Sequence, residues 1–299
     1  MFNKIAIFGV GLIGGSFALS LKKAGKVRHI VGLDRSPESL TRAKALGLID
    51  EAASSIADAV RDAELVMIAA PVAQTSLILS SIYPHLQPGT IVTDAGSTKS
   101  DVVAAARVAL GEKIAQFIPG HPIAGRENNG PDAAIDDLFT GKKTVLTPLP
   151  ENRADDIARV AGAWEACGAI IHTLTAEDHD CVFASVSHLP HLLAYALVDN
   201  IVKKPKADIL FQYAASGFRD FTRIAGSSPE MWRDITLANR SMLISMLDSY
   251  LEQLHRIRDM VAQADGDAIH AIYANAQRAR QNWINAIEAA EKQQKEGGD

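Results

Sequence analysis

The sequence predicts an α/β fold, with a doubly wound parallel sheet over residues 1–173 followed by an all-α region over 174–299. Three observations carry this. The apolar run Ile5-Ala6-Ile7-Phe8 leads directly into the loop Gly9-Val10-Gly11-Leu12-Ile13-Gly14, and a helical pattern opens behind it at 17–21. Short apolar runs then alternate with helical stretches as far as Thr173, and beyond Ala176 only helical periodicity remains. Buried strands separated by helices form a parallel sheet covered on both faces, which places ligands at the carboxyl ends of the strands.

The first loop has the G-x-G-x-x-G spacing of a dinucleotide site. Gly9 allows the sharp turn, Gly11 lets a pyrophosphate approach the backbone, and Gly14 lets the helix pack close to the strand. Leu12 and Ile13 lie between them, in the first helical turn that would face the phosphates. The next apolar run ends in Asp34, about 20 residues past the last glycine, where a Rossmann-type fold keeps the acid that binds ribose hydroxyls. That carboxylate repels a 2′-phosphate and favours NAD. The adjacent Arg35 can stack on adenine or pair with a 2′-phosphate, which leaves NADP open.

The remaining elements follow in order. Helices are expected at 37–46, 74–83 and 99–110, and strands at 65–71, 90–94, 116–119 and 144–147. A helix at 155–166 and a strand at 169–173 complete the α/β part. Helices then fill 180–202, 209–215, 229–262 and 267–290, with a break at Lys203-Lys204-Pro205-Lys206 and a Ser-Pro helix start at Ser228-Pro229. The charged residues 292–299 are expected to fray.

Composition narrows the class. With 47% hydrophobic and 22% charged residues and a net charge of −5, the chain reads as a soluble globular protein without a nucleic-acid surface. Cys167 and Cys181 make no disulfide framework and are expected to be buried thiols; no metal site is expected. No leader and no apolar run of membrane-spanning length is evident, so a cytoplasmic location is expected. Long helices with apolar stripes suggest a homodimer.

Further segments are richer in glycine and polar residues than a scaffold needs: Asp94-Ala95-Gly96-Ser97-Thr98-Lys99-Ser100, 120–130 (GHPIAGRENNG), Ser187-His188-Leu189-Pro190-His191, and 217–235 (GFRDFTRIAGSSPEMWRDI). Together with GLIGGS at 11–16 they resemble the prephenate and arogenate dehydrogenase family, the NAD(P)-linked enzymes of tyrosine biosynthesis. The resemblance runs to about residue 290 and implies a Rossmann domain, a helical dimerisation domain, and oxidative decarboxylation of a cyclohexadienyl substrate. In that reaction hydride leaves ring carbon C4 for the nicotinamide, the C4 hydroxyl loses its proton and carbon dioxide departs. Such chemistry needs a base at the hydroxyl and cations for two carboxylates.

The resemblance implies that His121 is the base and that Ser97 hydrogen-bonds both His121 and the substrate hydroxyl, a helix N-cap being the plainer role for Ser97. It implies that Ser187 and His191 line the substrate side, with a polar pair between His188 and His191 as the alternative, and that Arg223 pairs with a substrate carboxylate. Trp232 is expected to touch substrate or to fill an interface. Glu127 and Asp180 match acids of a polar network at the mouth of the site, with solvated or helix-capping roles as the alternative. Arg219 and Arg233 are candidates for structural ion pairs, and Arg126 replaces a threonine frequent in the family.

Two other functions compete. A β-hydroxy-acid dehydrogenase of similar layout would carry a catalytic lysine in the first helix of the second region, where this chain has Ser187, His188 and His191 and no lysine before Lys203. A non-catalytic NAD sensor would keep the glycine loop and Asp34 without needing Ser97, His121 and Arg223 together. No fused chorismate mutase or regulatory segment is expected, so any inhibition by tyrosine is expected at or near the active site.

Overall fold

The computed structural model describes residues 1–126 and 128–296. Its first part is built from β1 (Phe2–Phe8), α1 (Leu12–Lys23), β2 (Val27–Leu33), α2 (Pro37–Ala45), β3 (Glu51–Ala52), α3 (Ile56–Val60), β4 (Leu65–Ile68), α4 (Thr75–Ile82), β5 (Ile91–Asp94), α5 (Ser100–Leu110) and β6 (Phe117–Ile118). The six strands run parallel in the order β3-β2-β1-β4-β5-β6. Strand alternation divides the core in two: Ile5, Ile7, Leu65 and Met67 join Phe17 and Leu21 of α1 on one face, while Ala6, Phe8, Val66 and Ile68 join Val60, Leu79 and Leu110 on the other. β3 and α3 are absent from the sequence expectation because two and five residues are too short to show a period.

A second sheet corrects the expectation that every strand continues the first. β7 (Gly120–Pro122), β8 (Lys143–Leu146) and, after α6 (Ala154–Ala166), β9 (Ile170–Thr173) form a separate sheet in which β7 is antiparallel to β8 and β8 parallel to β9. Pro119 separates β6 from β7; it has no N–H to extend the ladder, and its carbonyl accepts from Thr147 N at 3.0 Å instead. Trp164 of α6 closes the core here, its ring 4.7 Å from Phe17 and 5.1 Å from Phe139.

The helical part comprises α7 (Ala176–Phe183), a π-helical turn at Ala184–His188, α8 (Leu189–Val202), α9 (Ala207–Gln212), α10 (Ser216–Thr222), α11 (Pro229–Ala238), α12 (Arg240–Ala262) and α13 (Gly266–Glu296). The single helix expected at 180–202 starts earlier and carries the π turn just before Pro190, where a widened turn accommodates the missing N–H and the proline ring. The helix expected at 229–262 breaks at Asn239, whose φ of −102° and ψ of 30° leave the helical region while its side chain bonds elsewhere.

The chain divides into two compact units, Met1–Leu243 and Ile244–Asp299, so α7 to α11 share the first unit with both sheets. In the second unit α12 turns into α13 through Ala264, at φ +55°, and the Asp265 carboxylate accepts from Ala268 N at 3.0 Å. Leu251, Val261, Tyr273 and Trp283 of this unit are exposed.

Two expectations from composition need correction. Cys167 is buried but Cys181 is exposed. Residues Ala176–Val202 are long and apolar enough by composition to cross a membrane, with a mean hydropathy of 1.5. Their polar groups His179, Asp180 and His188 are nevertheless bonded to other elements of the first unit.

Candidate active site

The glycine loop lies at the carboxyl end of β1, beside β4, where the strand order reverses. Gly9 has φ +93°, and a Cβ there would lie 2.6 Å from the Ala69 carbonyl oxygen. A Cβ at Gly14 would overlap the Gly9 carbonyl. Gly11 precedes α1 without a capping side chain, so the first amides of the helix remain available to an anion. Leu12 is buried and Ile13 half-buried against the core. The Asp34 carboxylate accepts from Val10 N at 3.1 Å and Ser36 N at 3.0 Å, which ties it to the loop, while Arg35 is exposed. This donor set and close backbone approach fit a dinucleotide.

Hydrogen bonds carry the same edge across the sheet. Ala69 N donates to Phe8 O at 2.7 Å, Ala95 N to Ile68 O at 2.9 Å, and Gly120 N to Asp94 Oδ1 at 3.0 Å. Asp94 is buried, and its other oxygen accepts from Gly96 N and from the fully buried Lys99 Nζ. Lys99 also donates to the Gly120 carbonyl at 2.7 Å. An ion pair out of water thus fixes the loop after β5 against the strand that bears His121.

From His121 a chain of contacts runs into α7. His121 Nδ1 lies 2.8 Å from His179 Nε2, and His179 Nδ1 lies 2.8 Å from Asp180 Oδ1. Phe183 packs edge-on to the His121 ring at 4.9 Å. Asp180 also accepts from Lys99 N and Ser100 N, each at 2.8 Å, and so caps α5. Burial would raise the Asp180 carboxyl, but bonds from His179, Ser100 and Lys99 outweigh it and hold the group below the usual carboxylate range. Burial pushes His121 well below the ordinary histidine value, and the nearby His179, Lys99 and His188 act in the same direction. His179 is lowered chiefly by burial, with Asp180 opposing.

A second group lies on α8 and α11. His191 stacks on Trp232 with ring centres 3.5 Å apart, and its Nδ1 lies 2.9 Å from the Ser187 carbonyl. Burial lowers His191, and the Arg223 guanidinium lowers it further, which places Arg223 within electrostatic reach. Trp232 Nε1 is buried without a hydrogen-bond partner among the described residues. His188 receives a bond from Asn239 Nδ2 at 3.1 Å, and Asn239 also donates to the Asp180 carbonyl at 2.8 Å. α11 packs against the 3-10 turn Val72–Gln74 that follows β4.

The structure therefore brings His121, Asp180 and His188 into one network and Ser187, His191, Arg223 and Trp232 into another. Asp180 is buried at 2% exposure and takes the helix-capping alternative, as a cap of α5 and a histidine partner, rather than a place at the mouth of the site. Ser97 is half-buried on the loop that Asp94 and Lys99 pin; it does not cap α5, whose N-cap residue is Lys99. His188 pairs with Asn239 rather than with His191. Arg233 and Arg219 pair with Asp234 and Asp220. Glu127 lies outside the described residues. Sequence reasoning missed Asp94, Lys99, His179 and Asn239 as site residues. The charged pair within DAGSTK and the adjacent His179-Asp180 were the available signals.

Comparison with known proteins identifies the family. Residues 17–173 match the family model "Prephenate dehydrogenase, nucleotide-binding domain", and residues 175–275 match "Prephenate dehydrogenase, dimerization domain". The chain belongs to the prephenate dehydrogenase family. It is 38% identical over 283 residues to the cyclohexadienyl dehydrogenase of Zymomonas mobilis, a match covering 94% of this chain and 96% of that protein. The crystal structure of prephenate dehydrogenase from Aquifex aeolicus, in complex with hydroxyphenyl propionate and NAD+, aligns with a TM-score of 0.86 at 36% identity, covering 94% and 98% of the two chains. Synechocystis arogenate dehydrogenase aligns with a TM-score of 0.79 at 29% identity, covering 94% and 99%. As a member of the prephenate dehydrogenase family the protein is an oxidoreductase with an NAD-binding domain. The Rossmann-type sheet followed by helices is the fold these relatives share.

Proposed function

We propose that this prephenate dehydrogenase family member oxidatively decarboxylates a cyclohexadienyl substrate, prephenate or arogenate, in tyrosine biosynthesis. The observation that carries the reading is the half-buried His121, 2.8 Å from His179 at the strand edge that continues from the glycine loop, where burial holds its ring below the ordinary histidine value. NAD, bound along Gly9, Gly11, Leu12, Ile13, Gly14, Asp34 and Arg35, supplies the hydride acceptor. His121 accepts the proton of the C4 hydroxyl. Ser97, on the pinned loop, hydrogen-bonds that hydroxyl. Arg223 pairs with a substrate carboxylate, a role suited to its planar fork of donors, and the Trp232 indole N–H, unpartnered among the described residues, and the His191 ring border the same place. Ser187 lies beside them on the π turn. Glu127 is, by family resemblance, an acid at the site's mouth.

The partner in solution is a second copy of the chain, through the helical region that matches the dimerization-domain model. The place of action is the cytoplasm, and residues 1–173 and 174–299 divide the cofactor and substrate duties. Steady-state kinetics with prephenate and arogenate, each with NAD and NADP, test the reading. NAD-dependent turnover of at least one substrate is expected; no turnover of either overturns it.

A further inference from the structure

We propose that His179 and Asp180 are positioning residues that set the tautomer of His121, leaving its Nε2 as the unprotonated nitrogen that receives the substrate proton. The inference rests on the role given to His121 above and on a chain of donor and acceptor requirements around it. Asp180 already accepts Lys99 N and Ser100 N, as an ionised carboxylate does. It has no proton to give, so the 2.8 Å contact to His179 Nδ1 makes that nitrogen the donor. A neutral imidazole with Nδ1–H presents Nε2 as an acceptor. The 2.8 Å contact between His179 Nε2 and His121 Nδ1 is then satisfied only by Nδ1–H of His121. Neutral His121 is left with its lone pair on Nε2.

The same line of bonds serves after proton transfer. The substrate O–H bond breaks and an N–H bond forms at Nε2, and the resulting imidazolium still donates Nδ1–H to His179, whose other end is held by the Asp180 carboxylate. The opposite tautomer would leave two acceptors facing each other at His179, in a site from which water is largely excluded. The charged and titratable groups around His121 are His179 and Asp180 of α7, Lys99 before α5 with its partner Asp94, and His188 of the π turn.

The test combines spectroscopy with kinetics. In 15N-histidine-labelled enzyme, with His121 assigned from the spectrum of His121→Asn, Nδ1 is expected in the protonated pyrrole-type region and Nε2 in the unprotonated pyridine-type region at neutral pH. His179→Phe removes the acceptor and is expected to lower kcat about 10- to 100-fold while KM and NAD affinity hold. His179→Gln, whose amide oxygen can take the Nδ1–H, is expected to recover part of that loss and serves where the Phe variant does not fold. A wild-type His121 protonated at Nε2, or a folded His179→Phe enzyme with unchanged kcat, overturns the proposal. Neither NMR outcome depends on substrate identity, so failure of the proposed reaction is read separately, from wild-type turnover.

Discussion

His121 of β7 and His179 of α7 face each other nitrogen to nitrogen at 2.8 Å, joining the α/β and helical parts of the first unit at one contact. The consequence for pH is definite. Burial and the neighbouring Lys99, His179 and His188 hold His121 neutral at pH values where a free histidine would be half protonated. Activity is expected to fall as pH drops through this lowered value, so the acid limb of kcat is expected below about 6.5, with a flat profile through neutrality. His121→Asn is expected to lose about 10² to 10⁴ in kcat with NAD affinity preserved and the limb abolished. A near-normal kcat with the limb intact would remove His121 from the mechanism.

Asp34, the residue expected to set cofactor choice, also braces the glycine loop through Val10 N. Asp34→Ser is expected to weaken NAD and improve NADP, because the change removes both the ribose acceptor and the repulsion of a 2′-phosphate while Arg35 remains free to pair with it. The readout is the NAD to NADP ratio of kcat/KM, and an unchanged ratio would sink the assignment.

Arg223 is expected to act on substrate alone. Arg223→Ala should raise KM for prephenate or arogenate about tenfold or more, the cost of losing a charge-assisted contact, with the Kd of NAD unmoved. Parallel loss of NAD binding, measured by calorimetry, would make the residue structural.

His188 offers a stability prediction. Burial lowers it from the ordinary 6.5 to about 4, so between these values the unfolded chain binds a proton that the folded one does not. Its stabilising contribution is complete above about pH 6.5 and is lost as pH falls toward 4, a change on the order of 3 kcal/mol. Thermal midpoints of the wild type should drop over this window. His188→Gln should flatten the drop, and an equal drop in the variant would count against the assignment.

Much of the first half was legible because its signals are local. The glycine loop, Asp34 and the alternation of apolar runs depend on residues near each other in sequence, and β1, β2, β4 and β5 lie where those runs are. The strand at 144–147 was found but assigned to the wrong sheet, since pairing partners are a tertiary matter and Pro119 acts by withholding a hydrogen bond. The break at Asn239 was invisible for the same reason: nothing local stops that helix, and the side chain is claimed by Asp180 and His188 some 59 and 51 residues away.

The sequence by itself determined the fold class, the dinucleotide loop with its acid, and the residue types gathered for the chemistry, because periodicity and motif spacing are properties of the chain. Only the tertiary structure decided which of those residues meet. Asp180 reads in sequence as an acid at a pocket mouth or a helix cap, and the fold makes it a buried cap and the terminus of a histidine pair. Lys99 reads in sequence only as the opening of a helix, and in the fold it is fully buried against Asp94. A charge removed from water must find its partner in three dimensions, and that partner cannot be read from neighbours along the chain.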